Sequence, residues 1–208
     1  MTMPRCLKDL GWVVLLAISM SACSTPHQVV KTDPSTGLLP TDVEVKPEHI
    51  KVFTPSARVR DIKFMYVRAV SGGGEGYVDF LDKELLELGF PAVVHRDELT
   101  KLIIQSDLIN SVGNVTDPVA LAKLSKAIGP FLILDVAQIA GPYSITHTYA
   151  RITDPETADV LLSIERVRNA WVSFDKEVHY PMLNVIKRWL EQSRALPRQP
   201  SKAVTPTT

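Results

Sequence analysis

Cysteine is scarce in this chain, and neither sign of charge is in excess. Among 208 residues there are two cysteines, Cys6 and Cys23, and basic and acidic residues number 23 each. A neutral chain presents no strong electrostatic field, so nucleic-acid binding is disfavoured. Both cysteines lie in or beside an N-terminal apolar stretch. The rest of the sequence therefore has no thiol for catalysis, for a disulfide or for a cysteine metal site.

Common motifs of catalysis and metal binding are also missing. The sequence contains no G-x-S-x-G, no phosphate-binding loop ending in G-K-[ST] and no H-x-x-x-H pair. Its histidines are scattered, and ordinary surface or strand positions are expected for them; they are His27, His49, His95, His147 and His179. We therefore expect a protein that is not an enzyme and that uses no cofactor and no metal.

The first residues have the order of a secretory signal. Arg5 and Lys8 precede an apolar stretch over residues 10–17. This stretch is shorter than the roughly 20 residues that a membrane-spanning helix needs. Small residues follow it, as at a cleavage point, so a signal peptide is predicted over residues 1–22.

The cysteine at the end of this region gives the signal a specific meaning. The sequence "MSAC" at residues 20–23 resembles a bacterial lipobox, in which the cysteine is lipidated and becomes the new N-terminus. Acyl chains on Cys23 would attach the protein to a membrane. Ser24, which follows, is compatible with sorting to the outer membrane. We predict a lipid-anchored outer-membrane protein that faces the periplasm.

Composition divides the rest of the chain into three parts. Residues 23–60 are predicted to be a lipidated N-terminus and proline-rich tether. When unfolded, the roughly 25 residues from 24 to about 48 would span on the order of 25–30 Å. Residues 61–195 carry the periodic apolar patterns of a folded domain. The proline- and threonine-rich residues 196–208 are predicted to be a disordered tail.

The apolar patterns within residues 61–195 predict the order strand, helix, strand, helix, helix, strand, strand, strand, helix. This order predicts a single α/β (α+β) domain with a mixed sheet of about five strands and helices packed on it. Residues 49–60 could add an early strand. We further predict the helix boundaries from capping signals: Asp97 and Asp117 as N-caps, Gly129 after a helix end, and Pro181 near the start of the last helix.

Three segments in this order resemble the CsgG-like group of envelope lipoproteins. They are "FLDKELLELGFPAVVHRDELTKLIIQSDL", "DPVALAKLSKAIGPFLILDVAQI" and "YSITHTYARITDPETADVLLSIE", within residues 62–167. The group includes the curli-export lipoprotein, a lipoprotein activator of a penicillin-binding protein and a lipoprotein of Pel polysaccharide export. The resemblance implies a compact α/β domain that acts through protein contacts, often as a ring or a docking module. The chain departs from the group's pattern at His95, Pro130 and Ala158.

Two stretches are candidate sites. The first is the glycine-rich "SGGGEG", which follows a predicted strand; its backbone N–H groups could hold an anion, and its glycines are Gly72, Gly73, Gly74 and Gly76. A flexible connection is the simpler interpretation. The second gathers residue types that are common at interfaces, namely Arg166, Arg168, Trp171 and Phe174. Core positions for the two aromatic residues are equally compatible with the sequence.

From these features we expect a non-catalytic accessory or assembly component of an envelope export or cell-wall machine. Its partners would be the membrane, through the N-terminal lipid, and either another envelope protein or further copies of itself. The alternative is a periplasmic module that binds a small ligand or a glycan at the glycine-rich loop. The sequence does not identify the partner.

Overall fold

The computed structural model of the chain describes residues 27–72, 76–110, 112–140, 145–169 and 175–197. One sheet is formed by the strands β1 (Ile50–Phe53), β2 (Met65–Ser71), β3 (Val93–Val94), β4 (Leu132–Ala140), β5 (Ile145–Thr153) and β6 (Val160–Asn169). The helices that pack on it are α1 (Tyr77–Glu87), α2 (Arg96–Gln105), α3 (Pro118–Ile128) and α4 (Asp175–Ala195).

The sheet is mixed, with the strand order β1-β6-β5-β4-β2-β3. Strand β2 pairs in parallel with β3 and β4, while β4, β5, β6 and β1 pair antiparallel in succession. The α+β fold class is confirmed. Six strands are present among the described residues rather than about five, because the optional early strand forms as β1 and pairs with β6.

The larger of the two hydrophobic cores lies between the sheet and the helices α1 and α4. Strands β2, β4, β5 and β6 all contribute to it, since alternate residues along each strand point to this face. Trp189 and Leu190 of α4 are completely buried there, and Leu85 of α1 is buried beside them. The periodicity of α1 and α4 places these residues on one side of each helix.

The smaller core lies on the opposite face, under α2 and α3. Among the strands, only β2 and β4 contribute to it, through Tyr66 and Ile133. Leu99 of α2 and Leu124 of α3 are completely buried against them. Strands β5 and β6 add no residue to this core, so their outer face lacks a hydrophobic layer within the described part of the chain.

The capping predictions were right for α3 and wrong for α2. Asp117 Oδ1 accepts a hydrogen bond of 3.0 Å from the N–H of Val119, and Gly129 follows the end of α3. Helix α2 begins one residue before Asp97, with His95 as its N-cap. The His95 N–H donates to Glu98 Oε2 at 3.2 Å, which completes the first turn without Asp97.

Helix α4 begins at Asp175, six residues before the predicted start at Pro181. Proline is disfavoured inside a helix because it has no N–H for the carbonyl four residues earlier. That carbonyl belongs to Glu177, and arginine side chains from β6 donate to it. These long-range donors allow the helix to extend through the proline.

The described residues of the predicted tether are not detached from the domain. Strand β1 lies within them, and Leu39 and Val59 are buried in the larger core. Residues 27–45 follow the surface of α1 and α4, with a turn at residues 33–37, where the N–H of Gly37 donates to the carbonyl of Asp33 at 2.7 Å. The predicted domain boundaries, including the tail from residue 196, remain predictions.

Candidate functional site

Residues 27–45, which we call the N-terminal segment, are bound to α4 by a side-chain amide. Leu39 N–H donates to Asn184 Oδ1 at 2.7 Å, and Asn184 Nδ2 donates to the carbonyl of Leu39 at 3.0 Å. Both residues are buried. An amide that pairs with the N–H and the carbonyl of one residue fixes its backbone irrespective of the side chain. Asn184 therefore holds the middle of the segment.

The start of the segment contacts both helices. Tyr180 Oη on α4 donates to the carbonyl of Gln28 at 2.7 Å. On α1, Glu84 Oε1 accepts from the N–H of Val30 at 3.0 Å. The other carboxylate oxygen of Glu84 is buried without a hydrogen-bond partner, although a buried polar atom is normally paired. The segment thus covers the Glu84 carboxylate but donates a hydrogen bond to only one of its two oxygen atoms.

A cavity of about 260 Å³ lies where the segment returns along α4. Asn184, Pro181 and Arg188 of α4 line one side, and Leu38 and Val43 of the segment line the other. Pockets for drug-sized ligands measure roughly 300–1,000 Å³. The cavity is therefore too small for such a ligand while the segment stays in place.

Two histidines and an aspartate meet where the segment begins. His27 Nδ1 lies 2.7 Å from Asp175 Oδ1, and the N–H of Gln28 donates to Asp175 Oδ2 at 2.8 Å. His179 Nε2 lies 4.0 Å from the same Oδ1, one turn further along α4. One ligand atom from each of His27, Asp175 and His179 lies within 4.8 Å of the other two, a grouping that could hold a metal ion.

Aromatic rings enclose this group. The ring of His27 stacks on Phe80 with centroids 5.1 Å apart, and it lies 5.2 Å from the ring of Tyr77. His179 lies 4.6 Å from the Tyr77 ring and is 3% exposed. The aspartate and both histidines therefore interact in surroundings of low polarity, where charge interactions are stronger than in water.

Burial shifts the titration of the groups in this region. Desolvation lowers the pKa of His179 to about 4, against a smaller opposing effect of Asp175. Desolvation likewise raises the pKa of Glu84 to about 6, and the pKa of Tyr180 to about 12. The charge of Asp175 adds to the last two shifts. At neutral pH, His179 is therefore neutral and the Glu84 carboxylate is mostly ionised.

The expectation of scattered histidines does not hold in space for His27 and His179. His27 is separated from Asp175 by 148 residues, so no spacing rule could have joined them. The nearest sequence signal is the pair Asp175 and His179 at positions i and i+4, which share a helix face. Chemically, the group can hold a proton between its members or ligate a cation.

The predicted interface arginines are used inside the domain. Arg166 is buried, and its Nη1 donates to the carbonyls of Glu177 and Val178, each at 3.4 Å. Arg168 Nη1 donates to the Glu177 carbonyl at 3.1 Å, and its Nη2 lies 2.7 Å from Glu177 Oε2. Both arginines thus stabilise the first turns of α4. The other two predicted residues, Trp171 and Phe174, lie outside the described residues.

Of the predicted glycine loop, only the ends are described. Gly72 and Gly76 have φ of +77° and +76°, while Gly73 and Gly74 lie outside the described residues. A Cβ on Gly72 would come within 1.8 Å of the carbonyl oxygen of Gln138. Glycine is therefore required at position 72 for backbone conformation and close approach to β4.

Asp135, in the otherwise apolar start of β4, is paired. Arg68 Nε donates to Asp135 Oδ1 at 2.9 Å, and Arg68 Nη2 donates to Asp135 Oδ2 at 2.5 Å. This bidentate geometry is the strong form of an arginine–carboxylate pair. It accounts for a buried carboxylate in a central strand without invoking catalysis.

No protein-family model matches the chain, and no curated protein matches it. Among the described residues, no helix has both the length and the apolar character needed to cross a membrane.

Similar solved structures include three bacterial proteins. The LpoB C-terminal domain from Salmonella enterica is 10% identical with a TM-score of 0.32, over 52% of this chain and 84% of that one. Lipoprotein GNA1162 from Neisseria meningitidis is 18% identical with a TM-score of 0.35, over 62% and 92%. The PelC dodecamer from Paraburkholderia phytofirmans is 11% identical with a TM-score of 0.37, over 71% and 98%. The predicted resemblance to this group is confirmed as a resemblance, and with TM-scores of 0.32 to 0.37 no statement about the fold or the role of this chain rests on it.

Proposed function

We propose that the chain is a non-catalytic lipoprotein of the outer membrane that faces the periplasm. It would serve an envelope export or cell-wall machine as an accessory component, through protein–protein contacts. The observation that carries the proposal is the attachment of the N-terminal segment to the domain, directly after the lipobox cysteine. An anchored domain of this kind has a defined orientation relative to its membrane.

The anchor and the domain are close in sequence. Only four peptide steps lead from Cys23 to His27, which span at most about 14 Å when fully extended. A free tether up to residue 48 would instead give the domain on the order of 25–30 Å of reach. The attached segment therefore favours a partner that lies at the same membrane surface.

The outer face of β4, β5 and β6 is the surface that we assign to such a partner. Ile139, His147 and Val167 are paired across these strands in one row. Ile139 is 59% exposed and Val167 is 58% exposed. His147 lies between these two exposed apolar residues, and a row of this kind across three strands is a candidate contact surface.

Replacement of Cys23 tests the anchor. We expect Cys23→Ser to abolish palmitate labelling and to move the protein from the membrane to the soluble fraction, while Cys6→Ser has no effect on the mature protein. Labelling that persists in Cys23→Ser would overturn the lipoprotein assignment.

Site-specific crosslinking tests the contact surface. A photoreactive residue at Val167 should give one product of defined mass in intact cells. The matched control is Leu86, which is 47% exposed and belongs to α1, on the opposite face of the sheet. If neither position gives a product and the solubilised protein is monomeric, the proposed protein–protein function is wrong. Equal products from both positions would overturn the assignment of the surface.

A further inference from the structure

The group formed by His27, Asp175 and His179 has the ligand types of a transition-metal site. Imidazole nitrogen and carboxylate oxygen are both ligands of Zn²⁺, at about 2.0–2.2 Å. Three protein ligands leave a fourth position for a water molecule or a further ligand, as in open zinc sites. The two histidines come from opposite ends of the described chain, so an ion here would join them.

The ligand atoms of this group need only small movements to reach the spacing of a tetrahedral metal site. Two ligands of a tetrahedral ion with bonds of about 2.0–2.1 Å are roughly 3.3 Å apart. Asp175 Oδ1 lies 2.7 Å from His27 Nδ1 and 4.0 Å from His179 Nε2. One distance is shorter than the tetrahedral value and the other is longer, each by less than about 1 Å. A shift of the Asp175 side chain away from His27 and towards His179 brings both distances closer to the tetrahedral spacing of roughly 3.3 Å.

One ring nitrogen of the buried His179 side chain lacks a hydrogen bond among the described residues. The side chain is almost completely buried, and its Nδ1 has no hydrogen-bond partner within the described residues. Its Nε2 is turned towards Asp175 but lies beyond hydrogen-bond distance at 4.0 Å. Buried polar atoms without partners are uncommon and require an explanation. The unpartnered atom is Nδ1, whereas Nε2, which faces Asp175, is the atom available to a cation.

The surrounding charges also favour a cation. Asp175 and Glu84 are two carboxylates whose charges act on each other. Within the described residues, neither carboxylate forms an ion pair with a lysine or an arginine; the ion pairs of Asp175 are with histidines only. A divalent ion would add positive charge beside these two carboxylates.

We propose that His27, Asp175 and His179 bind a divalent transition-metal ion of the zinc type, which joins the N-terminal segment to helix α4. The site is independent of the proposed function. Its ligands are borderline in character, so Zn²⁺ and Cu²⁺ are suitable ions, whereas Mg²⁺ and Ca²⁺ prefer oxygen ligands throughout.

The ion would make attachment of the segment dependent on metal. An ion that binds only when His27 is in place stabilises the attached state by linkage. At a zinc concentration 100 times the Kd, the equilibrium between attached and released segment shifts about 100-fold towards attachment. The position of the domain relative to its lipid anchor would then depend on the metal content of the surrounding compartment.

Zinc titration of the full chain tests the site. The protein is purified in detergent, freed of metal with a chelator, and titrated with ZnCl2 by calorimetry. We expect one saturable site that His27→Gln weakens by at least tenfold, since even loss of an outer-shell partner of a metal ligand costs about 10–100-fold. His27 lies outside the helices and strands, so this variant remains folded even if His179→Gln does not.

The chain provides a matched control in a second histidine–aspartate pair. His95 Nε2 lies 2.8 Å from Asp82 Oδ2 near the surface, without a second histidine beside it. His95→Asn should leave zinc binding unchanged. Hydrogen exchange should show slower exchange of residues 27–31 on addition of ZnCl2 in the wild type but not in His27→Gln. Absence of zinc binding, or equal weakening by both variants, would overturn the proposal.

Discussion

On one face of the sheet, α1, α4 and the N-terminal segment cover residues from β2, β4, β5 and β6. On the other face, α2 and α3 cover residues from β2 and β4 only. Among the described residues, strands β5 and β6 are therefore covered by helices on one side and open on the other. Their alternating sequence suits this arrangement, because residues that alternate along a strand point to opposite faces.

The difference between the two faces indicates which residues stabilise the fold and which are available to contact a partner. The covered face concentrates the large apolar side chains and the group that binds the N-terminal segment. The open face has Ile139 and Val167 exposed beside polar residues. Substitutions on the two faces should consequently differ in kind: the first should alter the free energy of unfolding, and the second should alter binding.

The largest difference is expected from apolar truncation. Trp189 is completely buried on the covered face, and its Nε1 donates to the carbonyl of Thr54 at 2.9 Å. Trp189→Ala should lower the free energy of unfolding by about 3–5 kcal/mol. Val167→Ala on the open face should change it by less than about 0.5 kcal/mol. Urea denaturation measures both, and similar losses would contradict the assignment of the faces.

Loss of the amide that holds the segment should have the next largest effect. Asn184→Ala leaves the buried N–H and carbonyl of Leu39 without partners, at a cost of about 2–3 kcal/mol. Hydrogen exchange at Leu39 should also accelerate. Asn114→Ala is a control of the same type at an exposed position, where the side chain accepts only from the N–H of Thr116 at 3.0 Å. If exchange at Leu39 is unchanged in Asn184→Ala, the segment is held by other contacts.

Contacts between residues far apart in the chain explain the features that the sequence could not predict. Proline and polar residues before position 48 are typical of a tether, and only a tertiary partner such as Asn184 reveals that they are fixed. Pro181 is a normal sign of a helix start, and only Arg166 and Arg168 show why α4 begins earlier. His27 and His179 are likewise joined by the fold alone.

Local signals predicted the rest of the fold well. The spacing of Leu81 and Leu85 predicted α1, and Asp117, Pro118 and Gly129 marked the ends of α3. These features depend on neighbours within a few residues, where spacing and capping rules apply. Candidate sites depend on residues far apart in the chain: Arg166 and Arg168 contact the Glu177 carbonyl in α4, and their role at an interface stays a prediction.

The buried carboxylate of Glu84, on the covered face, should make the free energy of unfolding depend on pH. Glu84 has its pKa raised from 4.5 to about 6 by desolvation, so the folded state binds the proton more tightly than the unfolded state. The ionised Glu84 carboxylate therefore destabilises the fold above about pH 6. This destabilisation disappears as the carboxylate is protonated between pH 6 and pH 4.5. Relative to the wild type, Glu84→Gln should therefore become more stable as the pH rises. The change in the difference of unfolding free energy from pH 4.5 to 7.5 should be on the order of 1–2 kcal/mol.

Comparison with the wild type at each pH removes the contributions of other titrating groups, including His179 and Asp175. A gap in unfolding free energy for Glu84→Gln that stays constant with pH would mean that the Glu84 carboxylate is solvated, and that the segment does not cover it.

The smallest effect concerns the hairpin that joins β5 to β6 at the edge of the open face. Ala158 has a φ of 62°, in the left-handed region where glycine is favoured. An alanine there is destabilising by about 1–2 kcal/mol, and glycine is less favourable in the unfolded chain by about 0.5–1 kcal/mol, so Ala158→Gly should stabilise the fold by about 0.5–1 kcal/mol. Thermal and urea unfolding can resolve this gain.

The same substitution should have the opposite sign in helix α3, which covers the neighbouring strands on the same side of the sheet. Ala127 is exposed within α3, where Ala→Gly costs about 1 kcal/mol. Side-chain volume is equally reduced in Ala158→Gly and Ala127→Gly, so opposite signs can come only from backbone conformation. Equal signs would show that the β5–β6 turn does not require the left-handed conformation, and that the departure from glycine at position 158 has no energetic consequence.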